Sequence, residues 1–135
     1  KMEHCVFCDL LKGKIPGHKV FEDDNVLAFL DINPANLGHT LVIPKNHFKD
    51  VYELSSTEFS KYMEGMRKTI HLLREKKGIK ELNIISSNGK AAQQDIFHFH
   101  SHLIPRDSKD GINLFWENKK EMFSKDFKNF SEDFN

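Results

Sequence analysis

The sequence predicts an α+β domain with a sheet of roughly five short antiparallel strands, one long helix and a short N-terminal helix. Short apolar runs bounded by turn residues recur along the chain, as in strands joined by hairpins. One longer segment has apolar residues at steps of three and four, which is typical of a helix. At 135 residues the chain fits one domain. We therefore expect a single domain over residues 1–135, with its core in 4–106 and an extension over 107–135.

Turn residues mark the expected ends of the strands. The acidic turn Asp23-Asp24-Asn25 separates the first two apolar runs and indicates a hairpin. Pro44 and Pro105 follow the third and fifth runs and stop them. The expected strands cover residues 18–22, 26–30, 39–43, 82–86 and 97–104.

Two helices are expected. A short helical or turn segment covers residues 4–11. The long helix begins after Ser55 or Ser56, where Glu58 can complete a capping box with Ser55, and it ends before Gly78. Its apolar stripe consists of Phe59, Met63, Met66, Ile70 and Leu73.

The charged residues balance, which excludes some partners. Lys plus Arg number 20, and Asp plus Glu also number 20. No global field therefore draws the chain to nucleic acid or to an anionic membrane. The chain has no run of about 20 apolar residues, which is the length needed to span a bilayer. The start of the chain shows no signal-peptide pattern. We therefore expect a cytoplasmic protein without nucleic-acid or membrane partners.

Residues 97–104 carry the densest cluster of functional side chains, in the order Phe-His-Phe-His-Ser-His-Leu-Ile. Because successive side chains of a strand point to opposite faces, His98, His100 and His102 share one face. The other face carries Phe97, Phe99 and Leu103. Three imidazoles in a row do not make an ordinary core face. The pattern indicates a catalytic or metal site, with a half-exposed polar face as the plainer alternative.

Two cysteines, Cys5 and Cys8, lie near the start of the chain. A disulfide across so short a loop would stabilise the fold little, because the entropy it removes grows with loop length. Metal binding or redox chemistry explains the pair better, and the βαβ context of a redox motif is missing. A zinc finger that adds His98 and His102 has the right histidine spacing but the wrong local pattern, because those histidines lie on a strand.

The sequence resembles the histidine-triad (HIT) family in several places. The family signature alternates three histidines with apolar residues, and the matching segment here is His98-Phe99-His100-Ser101-His102-Leu103-Ile104. The family's central block is matched by Asp31-Ile32-Asn33-Pro34, by residues 38–45 and by His47. Gln94 precedes the triad at the family's distance, and Pro105-Arg106 closes it.

This resemblance implies a HIT-like fold and a nucleotide hydrolase. The chain looks most like the bacterial-type, zinc-containing members near the nucleoside phosphoramidate hydrolases. Such enzymes act on purine nucleoside 5′-phosphoramidates or related nucleotide conjugates, form a nucleotidyl-histidine intermediate and release the nucleoside monophosphate. The resemblance makes His100 the nucleophile and places His102 beside it in catalysis. Members commonly pair as homodimers, so the long helix and the fourth strand are the expected interface.

The resemblance also implies one structural zinc ion bound by Cys5, Cys8, His47 and His98. Two thiolates and two imidazoles form a complete tetrahedral set for Zn²⁺ and leave no open position, as in structural sites. Such a site contributes folding free energy directly. It would join the N-terminal segment to the third and fifth strands.

Further positions match the family's nucleotide pocket. Asp31 matches the acid that accepts hydrogen bonds from the ribose hydroxyls, or it is a turn residue at a strand end. Gln94 matches a residue that shapes the phosphate pocket, and His102 and the backbone amides of residues 89–94 are expected to stabilise phosphate charge. His39 matches a histidine beside the site, or it has a structural role. Five residues match base contacts or are plain core: Val6, Phe7, Leu10, Phe29 and Ile32.

Three residues depart from the family pattern. Asp95 stands where many members carry a Ser or Thr that meets the leaving group, and an acid there would protonate an amine or repel a polyphosphate. Ser87 stands where an amide often contacts phosphate, with Asn88 next to it as a substitute. Ser101 replaces an apolar residue and is expected to weaken packing on the far face. The first two departures leave the substrate open.

Three other interpretations stay open at this point. One is a dinucleoside polyphosphate hydrolase, and another is a zinc-stabilised nucleotide-binding module with little turnover. A zinc hydrolase that uses all three histidines as ligands would lose its metal on His100→Ala. The aromatic residues of the extension are too apolar for a solvated tail and are expected to pack on the same chain or on a partner: Phe115, Trp116, Phe123, Phe127, Phe130 and Phe134.

Overall fold

Five strands form one antiparallel sheet in the computed structural model, which describes residues 4–135. They are β1 (Lys19–Glu22), β2 (Val26–Leu30), β3 (Thr40–Pro44), β4 (Leu82–Ile85) and β5 (Ser101–Pro105). The order across the sheet is β1-β2-β3-β5-β4. This arrangement confirms the predicted α+β class, and the strands begin or end within a residue or two of their predicted bounds, apart from the start of β5. Residues 1–3 of the predicted domain lie outside the described residues.

The helices are α1 (Val6–Leu11), α2 (Ser56–Lys77), α3 (Lys120–Phe123) and α4 (Phe127–Glu132), with single turns of 3₁₀ helix at Val51–Glu53, Lys90–Ala92 and Ser124–Asp126. No helix within residues 4–135 is both long and apolar enough to cross a bilayer. The start of α2 has the predicted capping box. Ser55 Oγ accepts from the Glu58 amide at 3.1 Å, and Glu58 Oε1 accepts from the Ser55 amide at 2.8 Å.

The buried face of α2 differs from the predicted stripe. Met66 and Leu73 are buried as expected, but Phe59 and Met63 are 39% and 43% exposed. Their places against the sheet are taken by residues of smaller or more polar character, namely Tyr62, Gly65 and Thr69. The hydroxyl of Thr69 is satisfied by the Gly65 carbonyl at 2.8 Å.

Tyr62 also explains the serine that interrupts the apolar pattern of the triad. Its hydroxyl donates to the Val42 carbonyl at 2.8 Å and lies 2.8 Å from Ser101 Oγ. Ser101 is therefore buried in a hydroxyl pair. The prediction that it only weakens the packing on this face is wrong.

The predicted fifth strand extends too far toward the N-terminus. Regular pairing with β3 begins at Ser101, because the amide of Phe99 donates to the Phe48 carbonyl at 2.6 Å outside the sheet. The alternation of side chains nevertheless continues through residues 98–100. Phe99 and Leu103, which were predicted to share a face, are both buried under α2, whereas Phe97, predicted on the same face, is 42% exposed.

Two apolar clusters cover the two faces of the sheet. Under α2 lie Val26, Ala28, Val42, Phe99 and Leu103. On the opposite face, next to α1, lie Phe7, Leu27, Phe29, Leu41 and Ile43. The three triad histidines project from this second face, so α1 is the element that lies beside them.

The first residues of the extension, 107–112, form a loop that is hydrogen-bonded to Arg106, and the residues after it do not pack on the domain. Arg106 donates to Asp110 Oδ2 at 2.8 Å, to Asn83 Oδ1 at 2.7 Å and to the Ile112 carbonyl at 2.9 Å. Beyond Ile112 every residue is exposed. Of the two predicted alternatives, packing of the aromatic tail on its own chain is therefore not found, and packing on a partner stays a prediction.

Candidate active site and metal centre

The four predicted metal ligands converge at one point. Cys5 caps α1, and its Sγ accepts from the Cys8 amide at 3.3 Å. His47 follows β3, and His98 precedes β5. One donor atom from each of these residues lies within 4.8 Å of the other three. The chain therefore assembles a Cys2His2 cluster that could hold a metal ion.

The distances within this cluster suit zinc. Cys5 Sγ lies 3.5 Å from His98 Nδ1, while Cys8 Sγ lies 3.4 Å from His47 Nδ1 and 3.6 Å from His98 Nδ1. A tetrahedral ion with Zn–S of about 2.3 Å and Zn–N of about 2.0–2.1 Å separates sulfur from nitrogen by about 3.5 Å. The arrangement also favours the metal interpretation of the two cysteines over a redox role.

The hydrogen bonds of His98 select the nitrogen that would bind the metal. Its Nε2 lies 2.8 Å from the Pro44 carbonyl, which can only accept, so Nε2 carries the proton. The lone pair of Nδ1 then faces the sulfurs. Burial lowers the pKa of His98 to about 4, which keeps the ring neutral and able to bind. Burial and the neighbouring Cys5 raise the pKa of Cys8 to about 11, so metal binding here must displace a proton.

His100 is held in the form that a nucleophile needs. Its Nδ1 lies 2.8 Å from the His98 carbonyl, so Nδ1 carries the proton and Nε2 keeps its lone pair. The ring is buried and meets Phe7 edge-on, with ring centroids 5.2 Å apart. The donor atom of His98 converges with those of Cys5, Cys8 and His47, and within residues 4–135 the three triad histidines form no converging group of their own, which argues against the three-histidine zinc site.

His39, which the sequence placed beside the site, orients His102. The Ala35 amide donates to His39 Nδ1 at 2.9 Å, so the proton of neutral His39 is on Nε2. That Nε2 donates to His102 Nδ1 at 2.9 Å, and His102 therefore carries its own proton on Nε2. Burial lowers the pKa of both His39 and His102, so both rings are neutral near pH 7. His102 thus presents an N–H donor next to His100, with ring centroids 5.1 Å apart.

Asp31 closes this chain of contacts. Its Oδ2 lies 3.5 Å from His39 Nε2, and its Oδ1 accepts from the Asn33 amide at 2.8 Å. Asp31 is therefore a turn residue and also a partner of His39. Its predicted contact with a ribose stays a prediction.

The five predicted base contacts divide into two groups. Phe7 and Phe29 are each 5% exposed and pack edge-on with centroids 5.6 Å apart, as core residues do. Val6, Leu10 and Ile32 keep accessible surface and could still meet a base. The core interpretation therefore fits the first two, and the binding interpretation is left for the other three.

The predicted phosphate loop is stabilised largely by its own hydrogen bonds. Gln94 accepts from the Gly89 amide at 2.9 Å and donates to the Lys49 and Ile96 carbonyls at 2.7 and 3.1 Å, so it shapes the loop from a buried position. Asn88 accepts from the Val51 amide at 2.7 Å. Ser87 lies half-buried next to it. The loop amides already committed to partners within the loop are those of Gly89, Ala92, Gln93 and Gln94.

Asp95 lies closer to His100, the predicted nucleophile, than the sequence alone indicated. Its Oδ1 is 3.8 Å from His100 Nε2 and accepts from the Ile96 amide at 2.9 Å. It also lines a cavity of about 730 Å³ between α1 and residues 95–97, together with Val6, Phe97 and the exposed side of the Cys2His2 cluster. The two contacts that sequence analysis missed, His39 to His102 and Asp95 to His100, have no local signal in the chain.

Three alternating histidines next to a Cys2His2 cluster, on one face of a five-stranded antiparallel sheet, define a histidine-triad protein. The family model "HIT domain" matches residues 12–109, and this chain belongs to the HIT family. An uncharacterized HIT-like protein of Methanocaldococcus jannaschii is 46% identical over 79% of this chain and 82% of its own length. An adenosine 5′-monophosphoramidase of Saccharomyces cerevisiae is 34% identical over 90% of this chain and 75% of its own.

Solved structures agree with this assignment. A HIT-family protein from Bacillus subtilis superposes with a TM-score of 0.89 at 40% identity, covering 98% of this chain and 95% of the other. A zinc-bound histidine-triad protein from Mycobacterium smegmatis superposes with a TM-score of 0.74 at 34% identity, covering 90% of this chain and 88% of the other.

Proposed function

We propose that this chain hydrolyses purine nucleoside 5′-phosphoramidates or related nucleotide conjugates through a nucleotidyl intermediate on His100. The observation that carries the proposal is the hydrogen bond from His100 Nδ1 to the His98 carbonyl, because it leaves the lone pair of Nε2 free. The yeast relative named as an adenosine 5′-monophosphoramidase supports the substrate class.

The reaction proceeds in two displacements at phosphorus. His100 Nε2 attacks, the Nε2–P bond forms, and the P–N bond to the leaving amine breaks, while the departing nitrogen takes a proton from solvent water. His102 Nε2–H donates a hydrogen bond to the reacting phosphoryl group throughout and keeps its proton. Water then attacks phosphorus and returns a proton to solvent as the P–Nε2 bond breaks, which restores the lone pair of His100 and releases the nucleoside monophosphate. Covalent capture divides one difficult step into two easier ones.

The proposed zinc ion has a structural role. When bound it would supply a crosslink between α1, His47 in the loop after β3 and the start of the triad segment, and it would take no part in bond breaking. Its ligand His98 also offers the carbonyl that orients His100. Because the site needs two reduced thiolates, we place the protein in the cytoplasm, where thiols stay reduced.

The nucleotide is proposed to lie across the second face of the sheet. Its base would meet Val6, Leu10 and Ile32, and Asp31 would accept from the ribose hydroxyls. Ser87 and the loop shaped by Gln94 would border the phosphate.

The test is hydrolysis of adenosine 5′-phosphoramidate and of diadenosine polyphosphates, with zinc content measured on every sample. We expect His100→Ala to lose at least about a thousandfold in kcat and to keep its zinc. His18→Ala, which removes an exposed histidine, is the matched control.

Each other outcome selects a different function. Retained activity in His100→Ala would refute the assignment of His100 as the nucleophile. Loss of zinc from the same variant would favour the three-histidine zinc site. Faster turnover of dinucleoside polyphosphates would favour that alternative substrate. Binding of nucleotide without any turnover would favour the binding module.

We also propose that two copies of the chain pair as a homodimer. β4 is an edge strand, and Ile84 on it is 53% exposed. Phe59 and Met63 on α2 are exposed as well. An unpaired strand edge next to exposed apolar side chains is suited to a second copy.

The aromatic tail supports the same partner. Its six aromatic side chains are between 46% and 91% exposed. At about 150–250 Å² for each ring, they present about 800 Å², which is one partner's share of a standard interface. Two copies could each cover the tail of the other.

Light scattering at micromolar concentration should give a dimer, and Met63→Glu with Phe127→Glu should give a monomer, whereas Tyr52→Glu should not. A monomeric native chain would contradict the pairing.

A further inference from the structure

We propose that Asp95 selects the charge of the leaving group, so that this chain prefers phosphoramidates whose amine portion carries an additional positive charge. The inference rests on the proposed function and narrows its substrate class. Asp95 also stands at one of the positions where the sequence departs from the family pattern.

The position of the carboxylate relative to the attacking atom carries the argument. Asp95 is the one residue in the described part of the chain with a carboxylate oxygen within 4.0 Å of a ring nitrogen of His100. The nitrogen in question is Nε2, which attacks phosphorus in the proposed reaction. The Ile96 amide binds the same Oδ1 at 2.9 Å, so the backbone holds the negative charge in place. The side chain is 76% exposed, and a substrate can reach it.

The leaving group must pass through the field of this carboxylate. In-line displacement places the leaving nitrogen a few ångströms beyond the phosphorus from His100. A charge on a short substituent that folds back toward Asp95 would lie about 8–10 Å from the carboxylate, close to the Debye length, so its interaction is weakened by salt but not abolished. An ammonium group is attracted, whereas a carboxylate or a phosphate is repelled.

Other charges in the adjoining cavity do not cancel this field. Lys12 and Asp9 both line the cavity and carry opposite charges. His4 lies 3.2 Å from Asp9 and is mostly exposed. With Lys12 offset by Asp9, Asp95 leaves the cavity negative near the nucleophile.

The test uses three adenosine 5′-phosphoramidates whose amines have similar size and different charge: ethylenediamine, propylamine and glycine. For the native chain we expect kcat/KM for the ethylenediamine compound to exceed that for the propylamine compound by about two- to fivefold, and the glycine compound to be slower than both. Asp95→Asn should bring the ethylenediamine-to-propylamine ratio of kcat/KM close to one. Asp95→Glu keeps the negative charge and should keep this ratio above one. Asp24→Asn removes an exposed acid in the β1–β2 turn and should leave the ratio as in the native chain. Added salt should lower the native ratio.

Failure of this inference is distinct from failure of the proposed function. A native ratio near one, or the same ratio in Asp95→Asn, would overturn the role of Asp95 while phosphoramidate hydrolysis stands. Turnover of none of the three compounds by the native, zinc-loaded chain would overturn the proposed function together with this inference.

Discussion

Two substitutions of His39 separate its two hydrogen bonds. In His39→Asn the side-chain oxygen takes the place of Nδ1 and can still accept from the Ala35 amide, but nothing donates to His102. In His39→Gln the side-chain amide nitrogen reaches the place of Nε2 and can still donate to His102 Nδ1. Because the native bonds are both 2.9 Å long, each substitution removes one well-formed contact.

The expected magnitudes follow from these contacts. His39→Asn leaves His102 Nδ1 unpaired in a half-buried site, which costs about 1–3 kcal/mol. If the cost falls on the transition state, kcat drops by about 5- to 150-fold. His39→Gln loses mainly the bond to Ala35, so we expect about 1 kcal/mol of lost stability and a smaller loss of kcat.

The assay is steady-state hydrolysis of adenosine 5′-phosphoramidate at pH 7.5, with zinc content and urea unfolding measured on the same samples. A kcat for His39→Asn equal to that of the native chain would refute the role of His39 in orienting His102. An equal loss in both variants would show that packing, and not the donor, is what His39 contributes.

Three further predictions concern stability. Tyr62→Phe should cost about 1–3 kcal/mol in urea unfolding because it leaves buried oxygens unpaired, whereas Tyr52→Phe at an exposed site should cost almost nothing; equal effects would contradict the buried hydroxyl pair. Gly65→Ala should cost about 1–3 kcal/mol because its new methyl group would overlap Val26, and adding Val26→Ala should recover part of that loss; a purely additive double variant would refute the overlap. Burial lowers the pKa of His39, so the unfolded chain takes up this proton first as pH falls below about 6.5. The free energy of unfolding should therefore reach its full value above that pH and decrease toward pH 5. Its dependence on pH should be shallower in His39→Gln, and an unchanged dependence would contradict this role of His39.

Local patterns in the sequence predicted most of the fold. The capping box of α2 and the β1–β2 hairpin depend on residues close together in the chain, and both are confirmed. The start of β5 was predicted too early because the amide of Phe99 bonds to Phe48, a contact between distant segments. The buried face of α2 was predicted incompletely because hydrophobicity alone does not favour Gly65 or Thr69 over Phe59. Their burial depends on how closely the sheet approaches the helix.

The candidate site was predictable where residue type and spacing carry the signal. The alternation of histidines and the two cysteines pointed to a catalytic and metal-binding region, and the structure brings the four proposed ligands together. The protonated nitrogens of His100 and His102 depend on the carbonyl and imidazole that each ring meets, so they required the folded arrangement. The contact between Asp95 and His100 likewise depends on the path of residues 95–100, which a regular strand would not follow.

The central claim is a covalent bond between the nucleotide and Nε2 of His100, and single-turnover trapping tests it most directly. The native chain would be mixed with adenosine 5′-phosphoramidate, quenched with alkali to preserve phosphorus–nitrogen bonds and mapped by peptide mass spectrometry. We predict an adduct of one adenylyl group on His100 that forms and decays at rates consistent with turnover and is missing in His100→Ala. Turnover without any adduct, or an adduct on a different residue, would contradict the account.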